Sequence, residues 1–146
     1  MAQVGEWVRQ AKIAEELIFK ESVQEIVHQL TEELNNFVYL APPAVSGYKR
    51  TGFLRASLIA SKDAMPMLSR PNPGAAVQFD PGPVELVILG TELGETIYLG
   101  YTANYGAYVH YGANGKPGRP WVDMVAQRWP AIVDAKAEEI KARLGL

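Results

Sequence analysis

The chain has no cysteine and only two histidines, His28 and His110. The first absence removes disulfides, thiolate nucleophiles, iron–sulfur clusters and every zinc site that uses sulfur. The second leaves no histidine pair at metal-ligand spacing, such as two four residues apart. Long apolar runs are missing too. The longest aliphatic stretch is Leu86 to Leu89, far short of the roughly 20 residues of a membrane span. The amino terminus, Met1 to Gln10, sets Glu6 and Arg9 among isolated apolar residues and so lacks the core of a signal peptide. The expectation is a soluble protein made inside a cell, with no membrane partner. Nor does one sign of charge dominate: 14 basic against 16 acidic residues give a net charge of -2, which argues against tight nonspecific binding to nucleic acid through counterion release.

Local catalytic signatures are equally scarce. No serine sits in the glycine-flanked elbow of an α/β hydrolase. The stretch Gly112 to Gly118 lacks the Lys-Ser/Thr ending of a phosphate cradle. Glu32 with Glu33, and Glu138 with Glu139, are neighbours on helical stretches, where consecutive side chains diverge and do not share a metal or a proton. No catalytic residue, metal site or cofactor is expected.

What is present is a globular composition, 48% hydrophobic and 21% charged, with 10 prolines and 13 glycines as punctuation. At 146 residues the chain has the length of one domain, residues 1–146. Apolar residues at Val4, Trp7, Ala11, Ala14, Ile18, Ile26, Leu30, Leu34 and Phe37 recur every three or four positions, which predicts a long amino-terminal helix over residues 4–40. Ser22 interrupts the stripe, and Pro42 and Pro43 end it. Ala41 to Gly52 reads as a loop. Phe53 to Ala60 alternates like a strand, with a helical turn at its start left open. Half of the prolines fall between Pro66 and Pro83, so Met65 to Pro83 is expected as a long projecting loop.

Val84 to Leu89 and Thr96 to Tyr101 are β-rich runs joined by Gly90 to Glu95, a pattern that predicts a hairpin. Tyr105 to Gly112 suits either a third strand or a helical turn, which closes a sheet region over residues 53–112. Ala113 to Arg119 reads as a loop. From Pro120 the stripe Val122, Val125, Trp129, Ile132, Val133, Ile140 and Leu144 gives a carboxyl-terminal helix over 120–144, kinked or restarted at Pro130. The fold class expected is α+β, a small antiparallel sheet packed with a long amino-terminal helix and a carboxyl-terminal helix.

Two clusters suggest contact surfaces. Lys49, Arg50 and Arg55 form one basic group, and five tyrosines lie between Tyr98 and Tyr111. Phosphate contacts with aromatic stacking are one use of such residues. A protein interface, where Tyr and Arg are enriched, is the preferred one.

The stretch Gly47-Tyr48-Lys49-Arg50-Thr51-Gly52-Phe53-Leu54-Arg55-Ala56-Ser57-Leu58 resembles the "Arg/Lys-Thr-Gly-x-Leu-x-x-Ser" signature of small tail-component, or neck, proteins of long-tailed bacteriophages. Downstream, Tyr105-Gly106-Ala107-Tyr108-Val109-His110-Tyr111-Gly112 followed by Gly118-Arg119-Pro120-Trp121-Val122 is similar to that family's "Tyr-Ala-x-Tyr-Val-x-(aromatic)-Gly, then Arg-Pro-(aromatic)" block. His110 stands where members often carry an acidic residue, and Gly106 where alanine is common. The resemblance implies a non-enzymatic virion protein, assembled in the host cytoplasm, that forms a ring, expected as a hexamer, at the head-tail junction. It implies as partners further copies of the chain, a head-closure or connector protein, and a tail-terminator or tail-tube protein, with double-stranded DNA passing through without specific binding. Candidate interface residues are Lys49, Arg50, Arg55, Tyr105, Tyr108, His110, Tyr111, Arg119 and Trp121. A tail-terminator role is the alternative within the same class. A small enzyme or nucleic-acid-binding factor using His110 and Arg119 is the alternative outside it.

Overall fold

The computed structural model describes residues 2–38, 51–113 and 115–146. It is an α+β fold. Helix α1 (Ala2–Glu33) runs without interruption and ends in a π-helical turn over Leu34–Val38. Ser22 does not break it: the side chain is fully buried within the helix, because a single small polar residue costs little where neighbouring positions are good helix formers. The proline stop at Pro42 and Pro43 lies outside the described residues, as do Lys49 and Arg50.

Beyond Thr51 come a one-turn helix α2 (Phe53–Ala56) and the strand β1 (Leu58–Ser61). The expected strand over residues 53–60 is thus helical in its first half. The next two elements correct the predicted hairpin. Val84 to Leu89 is not a strand but part of helix α3 (Gly82–Leu89), and β2 (Tyr98–Tyr101) pairs antiparallel with β1, with Leu58 opposite Tyr101 and Ser61 opposite Tyr98. Pro83 in the first turn of α3 supplies a preset helical φ. Val84 and Ile88, one turn apart, face the core while Leu86 between them is exposed, a split that a strand, with 84, 86 and 88 on one face, would not give.

The segment between β1 and α3 is a long, largely exposed loop that is fastened at defined points. Arg70 makes a parallel bridge with Ala103, its N–H bonding Thr102 O at 2.7 Å, while Val77 N–H reaches Thr51 O at 2.7 Å. The guanidinium of Arg70 also donates to Thr102 Oγ1 and lies over the Phe53 ring.

Tyr105 to Gly112 resolves as helix α4 (Gly106–Tyr111), followed by the short pair β3 (Gly112–Ala113) and β4 (Lys116–Pro117). The carboxyl-terminal helix is two: α5 (Trp121–Ala126) and α6 (Trp129–Leu144), restarting at Pro130 in the first turn of α6. Arg128 at the corner donates to Gln29 and Glu33 of α1, and Arg143 at the far end pairs with Glu21. These contacts set α6 antiparallel along α1.

Two core clusters follow. Leu30, Leu34, Phe53, Leu54, Ala103, Trp121 and Val125 form one; Val23, Val27, Leu58, Val84 and Ile88 form the other. Leu99 and Tyr101 of β2 touch both and join them.

Candidate subunit interface

The first motif points inward. Thr51 is buried, its hydroxyl donating to Asn72 Oδ1 at 3.0 Å and accepting from Phe53 N–H, which starts α2. Gly52 has φ of +80°, and a Cβ there would lie 2.6 Å from Val77 O, so only glycine fits under the loop. Leu54 is in the core. Ser57 is fully buried: its hydroxyl donates to Leu54 O at 2.7 Å, and its carbonyl accepts from both Thr102 N–H and Thr102 Oγ1. Every signature residue from Thr51 to Ser57 therefore locks α2, β1 and the loop together. Arg55, between them, is half-buried and donates to Asn35 Oδ1 at the end of α1. It braces the fold at that point.

The second block divides between core and surface. Tyr105 precedes α4 and is half-buried, its ring 6.4 Å from that of Phe53. Gly106 and His110 are on the inner side of α4, whereas Tyr108 is 64% and Tyr111 76% exposed. Trp121 is 1% exposed and packs edge-on against Tyr101 and His110, both at 5.3 Å. As a core residue it is not available to a partner, which corrects its place among the interface candidates. Arg119 is half-buried, and its N–H donates to Val109 O at 2.8 Å. Gly118 passes so close to the end of α4 that a Cβ would lie 2.4 Å from His110 O.

His110 also belongs to the interior. Its Nε2 accepts the N–H of Asp123 at 3.4 Å, with the Asp123 carboxylate 3.7 Å away. Asp123 lies in the first turn of α5, where N–H groups have no intrahelical partner. The imidazole therefore serves as an acceptor for that turn, a task that an acidic side chain at the same position also performs. With Nε2 accepting, Nδ1 carries the proton in the neutral ring. Neither Nδ1 nor Trp121 Nε1 has a hydrogen-bond partner among the described residues. Beside them is a shallow cavity of about 190 Å³ lined by Tyr101, Gly106, His110, Tyr111, Trp121 and Asp123. Among the described residues, no three acidic or histidine side chains converge as metal ligands, and no helix is long and apolar enough to cross a membrane.

Comparison with protein-family models, with curated proteins and with solved structures finds no match to this chain.

Sequence reasoning missed two exposed apolar surfaces. Leu86, Leu89 and Leu93 are bare on and just after α3, and Val4, Trp7 and Val8 are bare at the start of α1. The first was hidden by reading Val84 to Leu89 as one strand of a hairpin. The second had a signal, the helical stripe itself, but a stripe does not say what covers it.

Proposed function

We propose that this chain is a structural subunit of a phage-type virion that assembles into a ring, expected as a hexamer, at the head-tail junction, where it joins head-closure proteins to the tail and lets DNA pass. The observation that carries the reading is α4, which buries Gly106 and His110 as a fixed base and presents Tyr108 and Tyr111 to solvent. Large aromatic rings with a polar tip, held on a rigid element, are what subunit contacts use, since they bury much area at little entropic cost. The motif residues support the same reading from the other side: they are fold determinants, so the two signatures in their order specify a scaffold on which such a surface is displayed.

A tail-terminator position uses the same ring and the same tyrosines and differs only in its neighbours. The alternative of an enzyme built on His110 and Arg119 is less favoured, because the His110 ring is occupied as an acceptor for α5 and packed edge-on against Trp121.

Native mass measurement of the purified chain, alone and mixed with the head-closure and tail proteins of the same particle, tests the proposal. A closed oligomer, alone or on addition of a partner, is expected, and replacing Tyr108 and Tyr111 together by Ala should abolish it while leaving the thermal unfolding transition in place. A chain that stays monomeric with every partner overturns the reading.

A further inference from the structure

Helix α1 is partnered along only part of its length. Arg128 meets Gln29 and Glu33, and Arg143 meets Glu21, so α6 covers α1 up to the turn around Ala14, which is buried. Residues 2–13 continue the helix for another ~18 Å, and of these residues 3–10, 12 and 13 are exposed. The apolar stripe does not stop where the cover does. Val4, Trp7, Val8 and Ala11 follow the i, i+3, i+4, i+7 pattern, on the face that carries Ala14 and Ile18 further along. Trp7, 64% exposed, is the largest side chain left bare.

A second surface on the same molecule matches it. Helix α3 is apolar at every position but Glu85, a pattern that belongs to buried helices. Its inner residues Val84 and Ile88 are in the core, yet Leu86 is 74% exposed, with Leu89 and then Leu93 exposed beside it. The charges left over on the two surfaces, once internal pairs are set aside, are opposite: at the acceptor, Lys20 and Lys62 reach Leu89 O and Gly90 O but are paired with Glu16 and Glu95. The arm carries Arg9 and Lys12 against one carboxylate, Glu6, and Glu6 is already paired with Arg9 at 2.7 Å. No lysine or arginine occurs from residue 71 to residue 115, a span that contains Asp80, Glu85, Glu92 and Glu95. Glu95 is used internally: it accepts Glu92 N–H and lies 3.5 Å from Lys62, and these hold its carboxyl below the usual carboxylate range. Glu85 accepts from Gln24. The Glu92 side chain has no ion-pair partner among the described residues, and neither has Lys12.

We infer that the α1 arm of one copy of this chain docks on the outer face of α3 of a second copy, with Trp7 and Val8 against Leu86 and Leu89 and with Lys12 toward Glu92. Arm and acceptor are different surfaces, so the contact is head-to-tail, the kind that closes into a ring when the rotation allows. The arm stripe buries on the order of 400 Å² per partner, about half of a standard interface. The arm contact is therefore transient by itself and becomes lasting together with a second contact such as the α4 tyrosines. This inference deepens the ring reading and rests on it.

The absence of native cysteine makes the test direct. Single-cysteine variants Val8→Cys and Leu89→Cys, both at exposed positions, are mixed in the full chain and treated with a short thiol crosslinker. Within one molecule Leu89 O is bonded to Lys20, twelve residues along α1 from position 8, or ~18 Å, out of reach of such a reagent. The expected result is a crosslinked heterodimer in the mixture and none from either variant alone. Its yield should fall about tenfold with Leu86→Glu, fall with Lys12→Glu, and recover when Lys12→Glu is combined with Glu92→Lys. Crosslinking of Val8→Cys only to itself, or only to an added head-closure or tail protein, overturns the inference. A ring by native mass with no Val8–Leu89 crosslink overturns the docking and leaves the ring reading standing. Crosslinked open dimers that never close, with or without partner proteins, leave the docking and overturn the ring.

Discussion

The two motif blocks look alike in sequence, short runs of glycine, aromatic and small residues, but the fold uses them in opposite ways. Thr51 to Ser57 is consumed by the interior: Thr51, Phe53, Leu54 and Ser57 are all buried, and Gly52 is glycine because the loop at Val77 leaves no space for a side chain. Tyr105 to Trp121 is shared. Gly106, His110 and Trp121 look inward, and Tyr108 and Tyr111 look out. Residue patterns of similar composition can thus build a scaffold in one place and a surface in another. Only the helical phase of α4, which puts positions 106 and 110 on one side and 108 and 111 on the other, separates the two.

The largest expected effect sharpens that division within the second block. Trp121→Ala should cost about 3–5 kcal/mol, since it empties a site shared by both Tyr101 and His110. Tyr108→Ala should stay within about 0.5 kcal/mol of the parent, because the ring is mostly in solvent. Urea denaturation of the two variants measures the contrast. Equal losses would mean that the inside and outside of α4 are not distinct.

Next in size is a comparison of glycines within the same loop system. Gly52 and Gly74 share a φ of +80°, but a Cβ at Gly74 meets nothing within 4 Å whereas one at Gly52 collides with a backbone carbonyl. Gly74→Ala should cost about 1 kcal/mol, the left-handed conformation alone. Gly52→Ala adds the collision and should cost about 2 kcal/mol or more. A Gly52→Ala variant no worse than Gly74→Ala would show that the loop gives way there, and that the first motif is less tightly bound to the interior than its burial indicates.

Much of this architecture was legible in the sequence, and the failures have physical causes. The long first helix was readable because its stripe persists for nine turns' worth of good helix formers, and the restart at Pro130 because proline has one tolerated place in a helix. Helix α3 was misread because Val-Glu-Leu-Val-Ile-Leu is apolar at nearly every position, so neither a period of two nor one of 3.6 can emerge. Pro83 in its first turn and Gly90 after it were the better signals, being the usual start and stop residues of a helix. The error carried a second one with it, since a strand at 84–89 took the place of β1 as the partner of β2. Tyr105 to Gly112 is too short for period to decide. For the candidate surface, residue type found Tyr108 and Tyr111 but also proposed Trp121 and His110, because composition alone does not distinguish an aromatic that waits for a partner from one that already has its neighbours.

The smallest effect has the opposite sign and connects the two blocks. Gly106 opens α4, and a Cβ placed there would meet Leu54 Cδ1 at 3.4 Å and nothing else within 4 Å. Leu54 belongs to the first motif and Gly106 to the second. An alanine would therefore fill the space between them at van der Waals distance, while removing the backbone freedom that glycine gives the unfolded chain. Gly106→Ala should stabilise the domain by about 0.4–1 kcal/mol, read as a rise in the urea midpoint at unchanged slope. Because position 106 is on the buried side of α4, the gain should come with no change in how Tyr108 and Tyr111 assemble. A loss of stability would mean that Leu54 lies closer than van der Waals contact allows, and that the two blocks are already packed to their limit.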